Sequence, residues 1–233
     1  MTSIGRTKTE QAYSALRRAI VTGDLVEDMP LDDAMLLARF GFGRTPIREA
    51  LKRLADEQFI NYPPHRTPYV RGIKVRDLSR LYEARHLLEE PVARLAARRA
   101  TPAQLDELQR ICDRIDEEIA ADRPYEAVEY DHQFHLEIAR STDNPFLAEA
   151  VNRLNCGSLR IWYLAHSTLG MANTNADHRA IQAALTDKDP EQAAAQVTRH
   201  IDKSYARQME LHRLDLVLLA PSSTPSPQGE APP

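Results

Sequence analysis

The 233 residues of the chain suffice for one large domain or two modest ones, and no stretch approaches the roughly 20 apolar residues that span a bilayer. Charged residues make up 27% and aromatic residues 6%, a composition that favours helices over sheets. The formal net charge of −4 argues weakly against a nucleic-acid binder, but residues 1–72 alone carry 11 Lys and Arg against 9 Asp and Glu.

The first third of the sequence predicts three helices followed by a short hairpin. Apolar spacing places the helices at about 9–22, 33–40 and 45–56, and extended pieces at 59–62 and 68–71. Gly23 ends the first helix, Asp32 caps the second, and Thr45 is expected to cap the third, with Pro46 at its first position. Three helices and a hairpin tip, or wing, predict a winged helix-turn-helix domain.

The remainder of the sequence is helical in pattern. Helices are predicted at 76–99, 102–121, 124–141, 145–168, 175–187 and 190–216. Three of them begin with a cap residue followed by proline, at Thr101, Asn144 and Asp189. Proline and serine dominate the end of the chain and predict disorder. The predicted fold is therefore mainly α, with a DNA-binding domain at 1–72, an all-helical domain at 73–219 and a disordered tail at 220–233.

Two observations indicate the cellular compartment of the protein. Residues 1–10 lack the apolar segment of a signal peptide, so export is not expected. Cys112 and Cys156 have neither metal-binding nor redox spacing and lie inside helical patterns, as expected for buried thiols in a reducing cytoplasm. We therefore expect a cytoplasmic protein without a membrane partner.

Basic residues mark one face of the third helix. Arg44, Arg48 and Lys52 are spaced four apart, opposite an apolar stripe. Arginine can hold a guanine or a phosphate with two hydrogen bonds. The candidate DNA-contacting residues are Arg44, Thr45, Arg48 and Lys52 in the helix and His65 and Arg66 at the wing tip. By spacing alone, an ordinary solvated helix face is an equally good interpretation.

Residues 16–20 and 39–54 together resemble the DNA-binding head of the GntR family. The resemblance implies that Arg44, Thr45 and Arg48 contact a double-stranded operator, with His65 and Arg66 in the wing. Several positions depart from the family's usual residues, namely Glu27, Asp28, Ala34, Gly43, Gln58 and Thr67. DNA binding stays expected, and the operator sequence stays open.

Histidines fall on the apolar stripes of three helices in the second domain. His135 shares its stripe with Asp131, and His178 and His200 lie on the stripes of two later helices. A single inward histidine is usually a hydrogen-bonded core residue. Four such groups buried without partners would be costly, and a divalent cation would satisfy them together. The pattern alone leaves both interpretations open.

Four segments of the second domain are similar to the FCD ligand-binding domain of the FadR-like GntR branch. They are residues 82–85, 131–135, 178–181 and His200, and the likeness covers about 75–215. It implies that Asp131, His135, His178 and His200 bind a divalent metal with positions left open for a ligand carboxylate. Three imidazoles and one carboxylate suit zinc or nickel.

Two arginines are candidates for holding the ligand. Arg85 lies on the core stripe of its helix, and its guanidinium cannot lose its proton, so it needs an anionic partner. That partner is either an acidic residue, Glu89 or Glu129, or the bound ligand, and the family similarity favours the ligand. Arg160 is a second candidate.

The resulting hypothesis is a homodimeric regulator, expected to be a repressor, that binds a near-palindromic operator and responds to a small carboxylate. Whether the acid releases or promotes DNA binding is open. One alternative keeps the regulator with a purely structural metal and an effector bound elsewhere. Another is a metal-dependent enzyme acting on a small acid, although the metal stripes carry no second acid/base pair.

Overall fold

The computed structural model describes residues 7–72, 75–171 and 175–219, with backbone only for 75, 76 and 214–219. The predicted disordered tail lies outside the described residues. The helices are α1 (Lys8–Thr22), α2 (Asp33–Phe40), α3 (Arg44–Asp56), α4 (Val75–Arg99), α5 (Pro102–Ala120), α6 (Pro124–Arg140), α7 (Pro145–Cys156), α8 (Leu159–Leu169), α9 (Ala176–Thr186) and α10 (Pro190–Leu219). The strands are β1 (Ile60–Asn61) and β2 (Tyr69–Val70). This mainly helical architecture confirms the predicted fold class.

The head consists of α1–α3 and the hairpin. Thr7 and Glu10 form a reciprocal capping box at the start of α1, and Gly23 ends that helix with a left-handed φ of 86°. The prediction that Thr45 caps α3 is wrong. The cap and the first helical residue both lie two positions earlier than predicted, because extended Gly43 is the cap and its carbonyl accepts the first helical bond, 3.2 Å from the Ile47 amide. The Thr45 hydroxyl is therefore not used as a cap.

The wing is a two-stranded antiparallel hairpin, as predicted, in which Ile60 faces Val70 and Asn61 faces Tyr69. Its tip turns at His65, which adopts a left-handed φ of 57°. Both side chains predicted at the tip, His65 and Arg66, are exposed.

The second domain is a bundle of seven helices, α4–α10, among the described residues. Helix α6 packs against α4, α5, α7 and α8, and α10 packs against α4, α8 and α9. The three predicted cap-and-proline starts are confirmed, since side-chain oxygens of Thr101, Asn144 and Asp189 accept amide hydrogens from the first turns that follow. Histidines on α6, α9 and α10 are thereby turned toward one another.

The single helix predicted over 145–168 is wrong, because the chain breaks it at Gly157 and Ser158 into α7 and α8. Glycine inside a helix costs about 1 kcal/mol relative to alanine, so this is a weak point in the helical pattern. Leu159 and Trp162, which follow the break, pack into the apolar core of the head. Tertiary packing therefore outweighs the continuous pattern.

The head and the bundle are joined through shared apolar packing. Val128 of α6 and Cys156 of α7 join Leu159 and Trp162 in the core formed by α1, α3 and the wing. A second core fills the bundle itself. Among the described residues, the helices include none long and apolar enough to cross a membrane.

Candidate DNA-binding face and ligand cavity

The polar face of α3 borders a groove beside the wing. Ile47, Leu51 and Leu54 are buried on the opposite side of the helix, as the spacing predicts. The groove encloses about 930 Å³. The predicted residues that line it are Thr45, Arg48, Lys52, His65 and Arg66. Arg44 is exposed in the first turn of α3 but does not line the groove.

Acidic side chains pair with two of these basic residues. Arg48 Nη2 lies 2.9 Å from Asp33 Oδ2 on α2, and Lys52 Nζ lies 2.8 Å from Glu49 Oε1. All four side chains are exposed, so these ion pairs are weak and can be exchanged for DNA phosphates or bases at small cost.

The predicted metal ligands converge inside the bundle. Asp131 and His135 come from α6, His178 from α9 and His200 from α10, and all four are buried. One ligand atom from each lies within 4.8 Å of the others. We call these four residues the imidazole cluster.

Two residues outside the cluster orient its imidazoles. His135 Nδ1 lies 2.7 Å from Glu89 Oε2, and His178 Nδ1 lies 3.2 Å from Asn175 Oδ1. Both histidines are thereby left with Nε2 facing the cluster. Carboxylate and amide partners on the outer nitrogen are typical of metal-binding histidines.

The inner atoms of the cluster lie close to one another. His178 Nε2 lies 2.6 Å from Asp131 Oδ2, and His135 Nε2 lies 3.2 Å from His200 Nε2. Lone pairs from three helices thus point at a common centre. A divalent transition metal fits this donor set, whose three imidazoles and one carboxylate match zinc or nickel preferences.

Charge in the cluster is also suited to a cation. Burial opposes ionisation of Asp131, but His178 and then His135 hold its pKa well below its usual range, so the carboxylate is charged. Burial, reinforced by His178 and His135, lowers the pKa of His200 well below its ordinary value. His200 is therefore a neutral imidazole with a lone pair available for a metal.

Arg85 is fully buried, and the structure gives it a protein partner. Its Nε lies 2.7 Å from Glu89 Oε1, one of the two acidic partners considered from the sequence. Burial opposes ionisation of Glu89, but Arg85 and then His135 hold its pKa well below its usual range. Nη1 and Nη2 of Arg85 have no hydrogen-bond acceptor among the described residues, and its guanidinium lies over the Trp162 ring at 4.8 Å.

Arg160, the second predicted ligand residue, lies away from the imidazole cluster. Its Nη1 donates to the Leu25 carbonyl at 3.3 Å, and it borders a separate cavity between head and bundle with Phe59 and Gly157. The structure therefore does not bring Arg160 together with the cluster.

A cavity of about 300 Å³ opens directly onto the imidazole cluster. Asp131, His178 and His200 form one part of its wall. Among its further lining residues are Trp162, His166, Lys203, Ser204, Arg207 and Gln208. The sequence argument missed His166, Arg207 and Gln208, although Ser204 and Gln208 continue the stripe of His200 at four-residue intervals.

Helix α6 also carries the polar contacts to the head. Glu129 forms an ion pair with Arg17 of α1 in which both side chains are largely buried. Glu126 lies 2.8 Å from Arg18, in a more exposed position. The same helix therefore supplies two residues of the imidazole cluster and two anchors for α1.

A winged helix-turn-helix head on a helical bundle is the architecture of a DNA-binding transcription regulator. Residues 8–70 match the family model of bacterial regulatory proteins of the gntR family, and residues 80–203 match the FCD domain. The chain therefore belongs to the GntR family of transcription regulators and carries an FCD domain at its C-terminal side.

Relatives agree over most of the chain. The Nta operon transcriptional regulator of Aminobacter aminovorans is 28% identical over 185 residues, 78% of this chain and 86% of that protein. The galactonate operon transcriptional repressor of Escherichia coli (strain K12) is 26% identical over 228 residues, 88% of this chain and 98% of that protein. The solved structure of E. coli McbR/YncC has the same fold, with a TM-score of 0.74 at 22% identity over 89% of this chain and all of that one.

Proposed function

We propose that the protein is a cytoplasmic, homodimeric repressor whose affinity for a near-palindromic operator is set by a small carboxylate bound beside a divalent metal. The observation that carries the proposal is the convergence of Asp131, His135, His178 and His200 on one point at the wall of a cavity. Repression is supported by relatives that are named repressors, including the HTH-type transcriptional repressor RspR of E. coli (strain K12).

On the DNA side, α3 enters the major groove and the wing contacts the adjacent backbone or minor groove. Arg48 and Lys52 line the groove beside the wing, with Thr45, His65 and Arg66. Arg44 is proposed as a phosphate contact from the first turn of α3. Each head contacts one half-site. A symmetric dimer therefore contacts two half-sites of a near-palindromic operator, and these half-sites lie about one helical turn apart.

On the ligand side, the imidazole cluster holds zinc or nickel, which when bound supplies open coordination positions for a carboxylate oxygen. Glu89 and Asn175 orient His135 and His178 for this task. Arg85 keeps Glu89 ionised. It does not line the cavity beside the cluster, so its predicted contact with the ligand rests only on its two Nη atoms, which have no acceptor among the described residues. Arg160 is left out of the proposal because of its separate location.

Helix α6 is the proposed connection between ligand and operator, because it contributes Asp131 to the cavity wall and Glu129 to the contact with α1. An acid can shift operator affinity only by its preference for one arrangement of head and bundle over another.

The test is a gel shift with zinc-loaded protein and an operator selected from random duplexes, titrated with a panel of small carboxylic acids. At least one acid should change operator affinity, and this response should disappear in His178→Ala but persist in His86→Ala, whose imidazole pairs with Asp202 outside the cluster. A protein that binds metal yet shows no change in melting temperature or operator affinity with any acid would support the purely structural metal instead.

A further inference from the structure

The cavity beside the imidazole cluster has a second polar region along α10. His200 belongs to the cluster, and Arg207 follows seven residues later on the same helix, which corresponds to two turns and a rise of about 10 Å. Both residues line the same cavity of about 300 Å³, at the lower end of the roughly 300–1,000 Å³ found for ligand pockets. The cavity therefore has room for a short molecule that contacts both regions.

Arg207 lacks a carboxylate partner among the residues whose side chains are described. Its Nη2 donates to the carbonyls of Ala165 and Gly170, and its Nε is buried without a partner among the described residues. Lys203 in the same wall differs, because its Nζ lies 2.7 Å from Asp177 Oδ1. A guanidinium keeps its charge, so a half-buried one that lines a cavity and has no carboxylate of its own among the described residues is suited to an anion.

Two further side chains in the lining of this cavity carry buried polar atoms that have no partner among the described residues. Gln208 is 3% exposed, and one such atom is its Oε1. The other is His166 Nδ1. Polar atoms buried without a partner cost about 1–3 kcal/mol each, so a ligand that satisfies them gains affinity.

We infer that the effector is a short dicarboxylic acid, with one carboxylate at the metal of the imidazole cluster and the other on Arg207. This inference rests on the proposed function and adds to it the chemical class of the ligand. Gln208 and His166 complete the second region by hydrogen bonding to the distal carboxylate or to a hydroxyl beside it.

The test compares acids of matched length on the full-length, zinc-loaded protein by isothermal titration. Succinate, glutarate and adipate are paired with butanoate, pentanoate and hexanoate. At least one diacid should bind about tenfold or more tightly than the monoacid of equal length, because a charge-assisted hydrogen bond contributes about that factor. Equal affinities within every pair would overturn the inference.

Arg207→Gln removes the charge and should reduce the diacid preference to nearly one, with zinc content and monoacid affinity unchanged. Arg207→Lys restores the charge and should recover part of the preference. Arg213→Gln is the matched control, since Arg213 is exposed and pairs with Glu210 on its own helix. An equal loss of monoacid and diacid affinity in Arg207→Gln would contradict an anion site at this residue.

Failure of the proposed function is recognisable separately. If the wild-type protein retains no zinc, or binds neither series of acids, the metal-and-carboxylate proposal fails and the dicarboxylate inference fails with it. If monoacids bind and diacids bind no better, the dicarboxylate inference alone is wrong.

Discussion

Arg48 extends from α3 into the groove beside the wing, with exposed Asp33 as its ion-pair partner. If Arg48 holds a base, Arg48→Ala should weaken binding to the selected operator by about 1–3 kcal/mol and relax specificity at one position. Gel-shift titration at fixed salt measures both effects. Arg110→Ala is the control, because this exposed arginine pairs with Glu107 on α5, outside the head. Unchanged affinity in Arg48→Ala would remove Arg48 from the DNA-reading face.

A second prediction for single side chains concerns the reactivity of the two thiols. Burial raises the pKa of Cys112 and of Cys156 to about 12, so both remain protonated at pH 8. Because the thiolate is the reactive form, we expect neither to react with a disulfide reagent within minutes in the native protein. Both should react rapidly in guanidinium chloride. Fast reaction of a native thiol would show that its surroundings open readily.

Helical spacing placed the four residues of the imidazole cluster on inward-facing stripes, because positions three and four apart share a helix face. It did not show that the four side chains meet, and the resemblance to the FCD domain was needed to group them as one site. Spacing was not sufficient for Glu89 as a partner of His135, since that contact joins α4 to α6 and depends on how the helices pack. Arg207 was also missed. It matters because it has no carboxylate partner among the described residues, and a sequence pattern does not show which partners a side chain lacks in the fold.

Between helices, the Arg17–Glu129 ion pair joins α1 to α6. Glu129→Gln leaves the largely buried Arg17 without its counter-charge, and we expect a loss of about 3 kcal/mol in the free energy of unfolding. Urea denaturation measures the change. Glu126→Gln is the matched control on the same helix, since its partner Arg18 is half exposed and the expected loss is below about 1 kcal/mol. Equal losses in the two variants would contradict a special role for Arg17.

Helix positions were well predicted where a cap residue precedes proline, because both signals are local. The boundary between α7 and α8 was not, since residues 145–168 form a continuous apolar pattern. Leu159 and Trp162, just after the break, contact the head, and such contacts between residues remote in sequence are not visible in a local pattern. The start of α3 was also not predicted. The helix begins at Arg44 because the backbone of Gly43 is extended, and residue type alone, which favoured Thr45 as the cap, does not contain that conformation.

For the whole molecule, the imidazole cluster connects α6, α9 and α10, so a bound metal should stabilise the bundle. Addition of Zn²⁺ to chelator-treated protein should raise the melting temperature, because a ligand that binds only the folded state stabilises it. Calorimetry with parallel metal analysis tests this expectation. His178→Ala should lose both stoichiometric metal and the temperature increase, and His86→Ala should keep them.

The break between α7 and α8 has a practical consequence. It places Trp162, the single tryptophan of the chain, against the His135 ring at 5.9 Å and within the core shared with the head. Its indole Nε1 also lies 3.3 Å from the Tyr82 hydroxyl. Tryptophan fluorescence therefore comes from one defined junction, and unlabelled protein excited selectively at tryptophan should show a change in emission when Zn²⁺ is added. The emission of Trp162 can therefore be used to follow metal binding without a label.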